Sequence, residues 1–360
     1  MTDVLLVKMS SLGDVVHALP AMTDAAKARP ALRFDWVVEE AFVPIARLHP
    51  AVRDVYPIAL RRWRGAPWQS RVEWHAFRDA MRSRHYDVVL DAQGLLKSAI
   101  VSANARGERV GLDGRSAREP LASVAYSRAL RVPWGQHAII RLRQLFAQAL
   151  DYPLPEDATS SAPDFGTRAP SLPTADAGMS GRYLLLLHGT TWDNKQWPLA
   201  HWRTLCARAA AAGWPVRVAH AGAGERARAQ AIVDGCVGAA LLPPSTLEEL
   251  LPWLAHAAAV VSVDSGLGHL AAAFAVPTLM LYGPTDALRT GGMGARVRNI
   301  DAAFACAPCL RRACTYDGPA LTDDAGIALV PACLGALAPP RVWDELVALA
   351  PGMQSGPMPR

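Results

Sequence analysis

Short, mostly apolar runs recur along this chain, each leading through a polar or small-residue loop into a stretch of helical character. The clearest are 4–8, 34–38, 86–91, 183–187, 216–219 and 257–263, with shorter ones at 55–60 and 239–242. Runs that stay apolar at every position, rather than alternating, read as strands covered on both faces, the habit of parallel sheets. Strand and helix alternate through the chain, so the fold class is α/β. Within this rhythm Pro20 is expected to kink or restart the first helix. Trp197-Pro198 should open another helix, and Thr246 or Ser245 should cap the one at Leu247. Residues 341–350 read as the last helix, and the tail from Pro351 to Arg360 is expected to fray.

The rhythm breaks once. Residues 152–180 carry Pro153, Pro155, Pro163, Pro170 and Pro173 among many Ala, Ser, Thr and Asp, the composition of an inter-domain connection. The expected organisation is a first domain over 1–165, a linker over 166–180, a second domain over 181–340, and a C-terminal helix and tail over 341–360.

Composition adds direction. At 360 residues and 51% apolar, the chain can bury two cores. No run of 18 apolar residues suits a membrane span. Residues 1–8 lack the features of a secretion signal, so the cytoplasm is expected. Residues 1–150 hold 22 Lys and Arg against 14 Asp and Glu, whereas 151–360 hold 15 against 18. In the basic half 19 of the 22 cations are arginine, the side chain suited to carboxylates and phosphates. Eight arginines and only three acids lie between Arg53 and Arg84, together with Trp63, Trp68 and Trp74. A solvated helix face accounts for such a run, but the tryptophans favour a surface meeting an amphiphile at a membrane boundary. No nucleic-acid module is present.

The chemistry is expected in loops that follow strands. His188-Gly189-Thr190-Thr191-Trp192-Asp193-Asn194-Lys195 closes one apolar run and leads into a helix start, where free N–H groups and a lysine can receive phosphate. Asp264-Ser265-Gly266-Leu267-Gly268-His269 repeats the arrangement, and Leu281-Tyr282-Gly283-Pro284-Thr285-Asp286 is a third such end. Together they predict a nucleoside-diphosphate site at the carboxyl edge of a sheet. In the first half, Ser10-Ser11-Leu12-Gly13-Asp14 places a carboxylate at a strand end, either as a general base for a hydroxyl or simply as a helix N-cap. Cys306, Cys309, Cys314 and Cys333 have loosely metal-like spacing, but a reduced, locally packed loop is the reading preferred here.

With those residues in view, the chain resembles the lipopolysaccharide heptosyltransferases of glycosyltransferase family 9. The resemblance is carried by Lys8-Met9-Ser10-Ser11-Leu12-Gly13-Asp14-Val15-Val16-His17 and by Phe34-Asp35-Trp36-Val37-Val38-Glu39-Glu40. Further matches are Arg61-Arg62-Trp63-Arg64, Asp91-Ala92-Gln93-Gly94-Leu95-Leu96-Lys97-Ser98 and Arg118-Glu119-Pro120-Leu121-Ala122-Ser123, with the three loops above. It implies a GT-B fold, two Rossmann-like domains with the active site in the cleft between them. It also implies an inverting, metal-independent transfer of L-glycero-D-manno-heptose from ADP-heptose to the first Kdo of Kdo2-lipid A. On this resemblance Asp14 is the general base and Lys195 steadies the departing ADP, with Thr190 and Thr191 on the diphosphate. Asp264 holds heptose hydroxyls, Ser265, Gly266 and His269 line the donor, and Glu225 binds the ribose. Ser10, Gly13, Arg61, Arg62, Arg64, Lys97, Arg115 and Arg118 face the acceptor's carboxylates and phosphates. His17 is either a helper there or a packed helix histidine. No cofactor and no metal are expected, and the protein should sit peripherally on the anionic inner face of the inner membrane.

Three features depart from the family pattern. Ser265 stands where Thr is usual, Asp286 lacks a following Pro, and the cysteine segment is an embellishment. The competing readings are heptosyltransferase II or III acting on a heptosylated core, a nucleotide-sugar epimerase, and a non-catalytic lipid binder. The Arg61–Arg64 block and the pairing of Asp14 with Lys195 weigh against each.

Overall fold

The computed structural model describes residues 2–65 and 68–354. Two compact units divide between Arg168 and Ala169, and each is built on one six-stranded parallel sheet.

In the first unit the strands are β1 (Thr2–Val7), β2 (Leu32–Glu39), β3 (Val52–Ile58), β4 (Tyr86–Asp91), β5 (Gly107–Leu112) and β6 (Arg128–Leu130). They lie in the order β3-β2-β1-β4-β5-β6. The helices are α1 (Leu12–Ala28), α2 (Val43–Ala46), α3 (Leu60–Gly65), α4 (Arg71–Arg82), α5 (Leu96–Ala103) and α6 (Ala138–Ala149). Central strands β1 and β4 are buried because Val4, Leu5, Leu6, Val89 and Leu90 meet apolar neighbours on both sheet faces. The chain reverses its direction of strand addition between β1 and β4, paired from Val4↔Val88 to Val7↔Asp91. Such a switch point leaves a crevice beyond the strand ends, where α/β sheets bind ligands.

The second unit repeats the plan with β7 (Leu184–Leu187), β8 (Val216–Val218), β9 (Ala239–Leu241), β10 (Ala259–Val263), β11 (Thr278–Tyr282) and β12 (Val297–Asp301), ordered β12-β11-β10-β7-β8-β9. Its switch point is between β7 and β10. The helices are α7 (Leu199–Ala211), α8 (Gly222–Val233), α9 (Leu247–Ala255), α10 (Gly266–Ala273), α11 (Ala287–Thr290), α12 (Ala332–Gly335) and α13 (Pro339–Leu349). Trp197 and Trp202 are fully buried beside Leu205, Leu334 and Leu346, with their rings edge to face at 5.0 Å.

Some local expectations are corrected and others hold. Helix α1 is continuous through the buried Pro20, so it does not restart there. As expected of a proline at a helix start, Pro198 immediately precedes α7. Thr246, not Ser245, caps α9, accepting the Glu249 N–H. The proline-rich segment is not loose. Tyr152, Ala158 and Phe165 are buried in the first unit, and His256 Nε2 meets the Pro170 carbonyl at 2.9 Å while its Nδ1 meets Ser180 Oγ at 3.0 Å. The expected frayed tail is partly ordered: Pro351–Gln354 form a 3-10 turn with Met353 buried, and residues 355–360 lie outside the described residues.

Candidate active site

At the switch point of the first sheet, the exits of β1 and β4 are sewn together by one amide. Met9 N–H donates to Gln93 Oε1 at 2.8 Å, and Gln93 Nε2 donates to the Ser10 carbonyl at 3.0 Å. Beneath this turn Asp91 is fully buried and accepts the N–H groups of Gln93 and Gly94 and the Tyr126 hydroxyl. Burial pushes its carboxyl above the usual range against those bonds. The turn is thereby rigid, and it sets Lys97 Nζ 3.3 Å from Ser10 Oγ.

Asp14 sits in the first turn of α1. It is not the N-cap; Ser11 is, and the Asp14 carboxylate reaches back to the Ser11 N–H at 2.9 Å and hydroxyl at 2.8 Å through Oδ2. Its Oδ1 lies 3.5 Å from Lys8 Nζ, a lysine with only 8% of its side chain exposed. Burial alone would raise the Asp14 pKa. Lys8, the Ser11 bonds and His17 outweigh it and hold the carboxyl at about 2. Asp14 is therefore an anion at neutral pH, with 43% of its side chain exposed. Gly13 lies in the same turn. His17 is buried, its ring 5.8 Å from that of His137, so it is a packed histidine that touches the site by charge.

The basic set divides. Lys97 has a lowered pKa, first from burial and then from the charge of Arg64, with Arg61 adding to it and Glu39 and Glu119 opposing it. Arg62 differs: Glu40 and Glu73 hold its guanidinium at 3.1 and 2.8 Å. Arg115 and Arg118 are exposed on the segment after β5. Farther along, Arg53 and Arg84 grip the fully buried Asp35 and are structural. The tryptophans divide as well. Trp63 is buried, 6.0 Å from both Trp74 and Phe77, whereas Trp68 is 79% exposed. Of the three tryptophans expected at an amphiphile-facing surface, Trp68 alone is largely exposed.

The second switch point joins the loops after β7 and β10. Lys195 Nζ donates to Asp264 Oδ2 at 2.7 Å, and Thr285 Oγ1 donates to the same oxygen at 2.7 Å. His269 Nε2 approaches Asp264 Oδ1 at 3.8 Å. Burial of Asp264 would raise its pKa, but His269 and Lys195 lower it well below the usual range. Lys195 also stands 4.4 Å over the Trp192 ring, with Arg312 at 5.4 Å. Ser265 is the N-cap of α10, its hydroxyl receiving the Gly268 N–H at 3.3 Å, and Gly266 is the first residue of that helix. The substitution of Ser for Thr at 265 thus keeps the capping oxygen. Thr190 and Thr191 follow β7, Thr191 exposed. Glu225 in the first turn of α8 accepts the Ala221 N–H at 2.8 Å, and its carboxylate lies against Gly189 so closely that a Cβ there would meet it at 2.8 Å. That contact brings Glu225 to the Thr190 loop.

Sequence reading passed over Lys8, Gln93, Thr285 and Arg312. Lys8 carried a signal, a lysine directly after an apolar strand; the others are ordinary loop residues until the fold places them. The cysteine segment packs on the donor loops, with Asn194 Nδ2 donating to the Arg311 carbonyl at 2.6 Å and Leu310 N–H to that of Pro284 at 2.7 Å. Cys306, Cys309, Cys314 and Cys333 are free thiols lining one cavity of about 400 Å³. Among the described residues no three His, Cys, Asp or Glu side chains are arranged to hold a metal ion.

Comparison with known proteins agrees with this geometry. The model of glycosyltransferase family 9 (heptosyltransferase) matches residues 74–319. Lipopolysaccharide heptosyltransferase 1 of Pseudomonas aeruginosa is 51% identical over 96% of this chain and 97% of its own. The Escherichia coli heptosyltransferase WaaC, solved with ADP-2-deoxy-2-fluoro heptose, is 37% identical with a TM-score of 0.80, covering 96% of this chain and 99% of that one. The Escherichia coli ADP-heptose lps heptosyltransferase II structure shares the fold at 19% identity and a TM-score of 0.72, covering 99% of this chain and all of that one. Two Rossmann-like units of GT-B type, with a lysine–aspartate pair at one switch point and a lysine-held aspartate at the other, belong to a chain of glycosyltransferase family 9, the heptosyltransferases.

Proposed function

We propose that this enzyme transfers L-glycero-D-manno-heptose from ADP-heptose to the first Kdo of Kdo2-lipid A, with inversion and without a metal. The observation that carries the reading is the contrast in identity: 51% to a heptosyltransferase 1 against 19% to a heptosyltransferase II. Lys97, 3.3 Å from Ser10 Oγ and under the positive charge of Arg64 and Arg61, supports a carboxylate-bearing acceptor. Arg115 and Arg118 extend the cationic surface toward lipid A phosphates.

In the reaction, an acceptor hydroxyl oxygen forms a bond to the anomeric carbon as the bond to the diphosphate oxygen breaks. The hydroxyl proton passes to Asp14, and the electron pair of the broken bond leaves with ADP. A carboxylate with a pKa of about 2 is a weak base in the resting enzyme, so proton transfer accompanies bond formation rather than preceding it. Lys195, Thr190 and Thr191 receive the charge growing on the diphosphate, helped by the N–H groups at the start of α10. Asp264 keeps Lys195 aimed and turns its second oxygen to heptose hydroxyls. Ser265, Gly266 and His269 line the donor, and Glu225 takes the ribose. Lys195 supplies the charge that a divalent cation supplies in metal-dependent transferases, which favours metal independence. No helix among the described residues is long and apolar enough to cross a membrane, and the basic first unit fits a peripheral site on the anionic inner face of the inner membrane.

The test is transfer from ADP-heptose to deacylated Kdo2-lipid A in EDTA, with the product's anomeric configuration read by NMR. Inverted product that forms in EDTA and fails in Asp14→Ala, with donor binding intact, supports every part. Transfer only to a heptosylated core would reassign the acceptor, and loss of turnover in EDTA would remove the metal-free step.

A further inference from the structure

Four apolar side chains stand in solvent on one small area of the first unit. Leu96 and Ile100, one turn apart on α5, are 44% and 60% exposed, and Leu121 and Val124 of the 3-10 turn Pro120–Ala125 are 70% and 82% exposed. The two elements are packed together. Ala99 lies in a dry layer with Ala122 and Tyr126, Ala125 packing at its edge. Leu96 N–H donates to Glu119 Oε2 at 2.6 Å and Glu119 N–H to the Gly94 carbonyl at 3.1 Å. Among the described residues, none covers the leucines, isoleucine and valine above this layer.

Cations adjoin these elements. Lys97, half-buried, follows Leu96 in sequence, and Arg115 and Arg118 are exposed just before the 3-10 turn. Of the neighbouring acids, Glu119 is turned onto the start of α5 and Asp113 accepts the Arg115 N–H. Trp134, 48% exposed, donates its indole N–H to the Arg115 carbonyl at 2.7 Å and is covered by the Arg141 guanidinium at 3.8 Å. An apolar ridge adjoined by arginine, lysine and a half-exposed tryptophan matches a headgroup layer with acyl chains below it. Four side chains are too few for a stable dimer, which needs roughly 800 Å² from each partner.

We infer that the ridge of Leu96, Ile100, Leu121 and Val124 is the surface by which this enzyme docks on an anionic lipid bilayer. The inference deepens the proposed lipid acceptor by giving its membrane a place on the protein. Docking here sets the acceptor's acyl end beside the helix whose Lys97 reaches Ser10, so the sugar end lies toward Asp14.

The test uses the double variant Leu121→Asp/Val124→Asp, both exposed and outside the proposed acceptor and donor residues. Sedimentation with vesicles of phosphatidylethanolamine and phosphatidylglycerol is compared with vesicles of phosphatidylcholine alone. The wild type is expected to sediment with the anionic vesicles, and the variant to lose roughly tenfold in partitioning. The variant is also expected to keep its rate on deacylated acceptor while slowing on acceptor held in vesicles. Equal sedimentation of variant and wild type would overturn the inference, as would a wild type that ignores anionic vesicles. A wild-type dimer abolished by the variant would assign the ridge to a second copy instead. Vesicle binding is read without substrate, so a failed acceptor assignment is distinguished from a failed docking surface.

Discussion

Lys195 and Asp264, 69 positions apart in sequence, form a direct ion pair of 2.7 Å with only 15% and 10% of their side chains exposed. They meet because β7 and β10 are neighbours in the sheet although two strands and three helices separate them along the chain. The pair is partly dry, so its geometry is worth more than that of a surface bridge. Lys195→Ala is expected to lower kcat by about 10²–10³ if the lysine receives leaving-group charge. If Asp264 works by aiming Lys195, Asp264→Asn costs much in wild type and little in the Lys195→Ala background. Steady-state kinetics of the full double-mutant cycle decide it. Strict additivity would mean the aspartate acts only through the sugar.

Lys8 and Asp14 give a pH prediction. The folded Asp14 carboxyl is depressed from 3.8 to about 2, so its ionised form stabilises the fold above about pH 4, and that contribution is lost as pH falls toward 2. Lys8→Met removes the main opposing charge and leaves burial to raise the pKa. The acidic limb of the kcat/KM profile should move to higher pH in the variant. Denaturation of both proteins should show a stability gap at neutral pH that narrows in acid. An unmoved acidic limb would detach Lys8 from the base.

Asp35 predicts a large stability effect unrelated to catalysis. It is fully buried and receives Arg53 Nε at 2.9 Å, Arg84 Nη1 at 2.8 Å and the Tyr86 hydroxyl at 2.9 Å. Asp35→Ala orphans those donors and should cost about 3–5 kcal/mol, read by urea denaturation. A loss below about 1 kcal/mol would mean Asp3 and Asp54 suffice as partners for the two arginines.

Neighbouring arginines should separate in kinetics. Arg64→Ala and Arg61→Ala are expected to raise KM for the acceptor roughly tenfold, the worth of one charged hydrogen bond, and to weaken its salt dependence. Arg62→Ala should leave acceptor KM nearly unchanged, because Glu40 and Glu73 already hold that side chain. Equal effects at 61, 62 and 64 would place all three on the acceptor.

The sequence by itself determined the α/β class, most of the strands and the strand-end loops expected to carry the chemistry; β5, β6 and β12, which lie toward or at the sheet edges and carry charged residues among few apolar ones, were not legible in it. Buried strands announce themselves by continuous apolar runs, and glycine, hydroxyl and lysine after a strand form a local pattern. The chain also gave Asp14 and Lys195 as the residues to watch. Only the tertiary structure decided their partners. That Lys8 holds Asp14, that Gln93 ties the exits of β1 and β4, and that Thr285 shares an oxygen of Asp264 with Lys195 all follow from the order of strands across each sheet. It likewise sorted the arginine-rich stretch into braces of the buried Asp35, the surface-paired Arg62, and Arg61 and Arg64, whose charge bears on Lys97, which composition cannot do. Periodicity records whether a side chain is covered and leaves open what covers it. Partners separated by a crossover are set by packing of whole elements, and no local pattern along the chain encodes that.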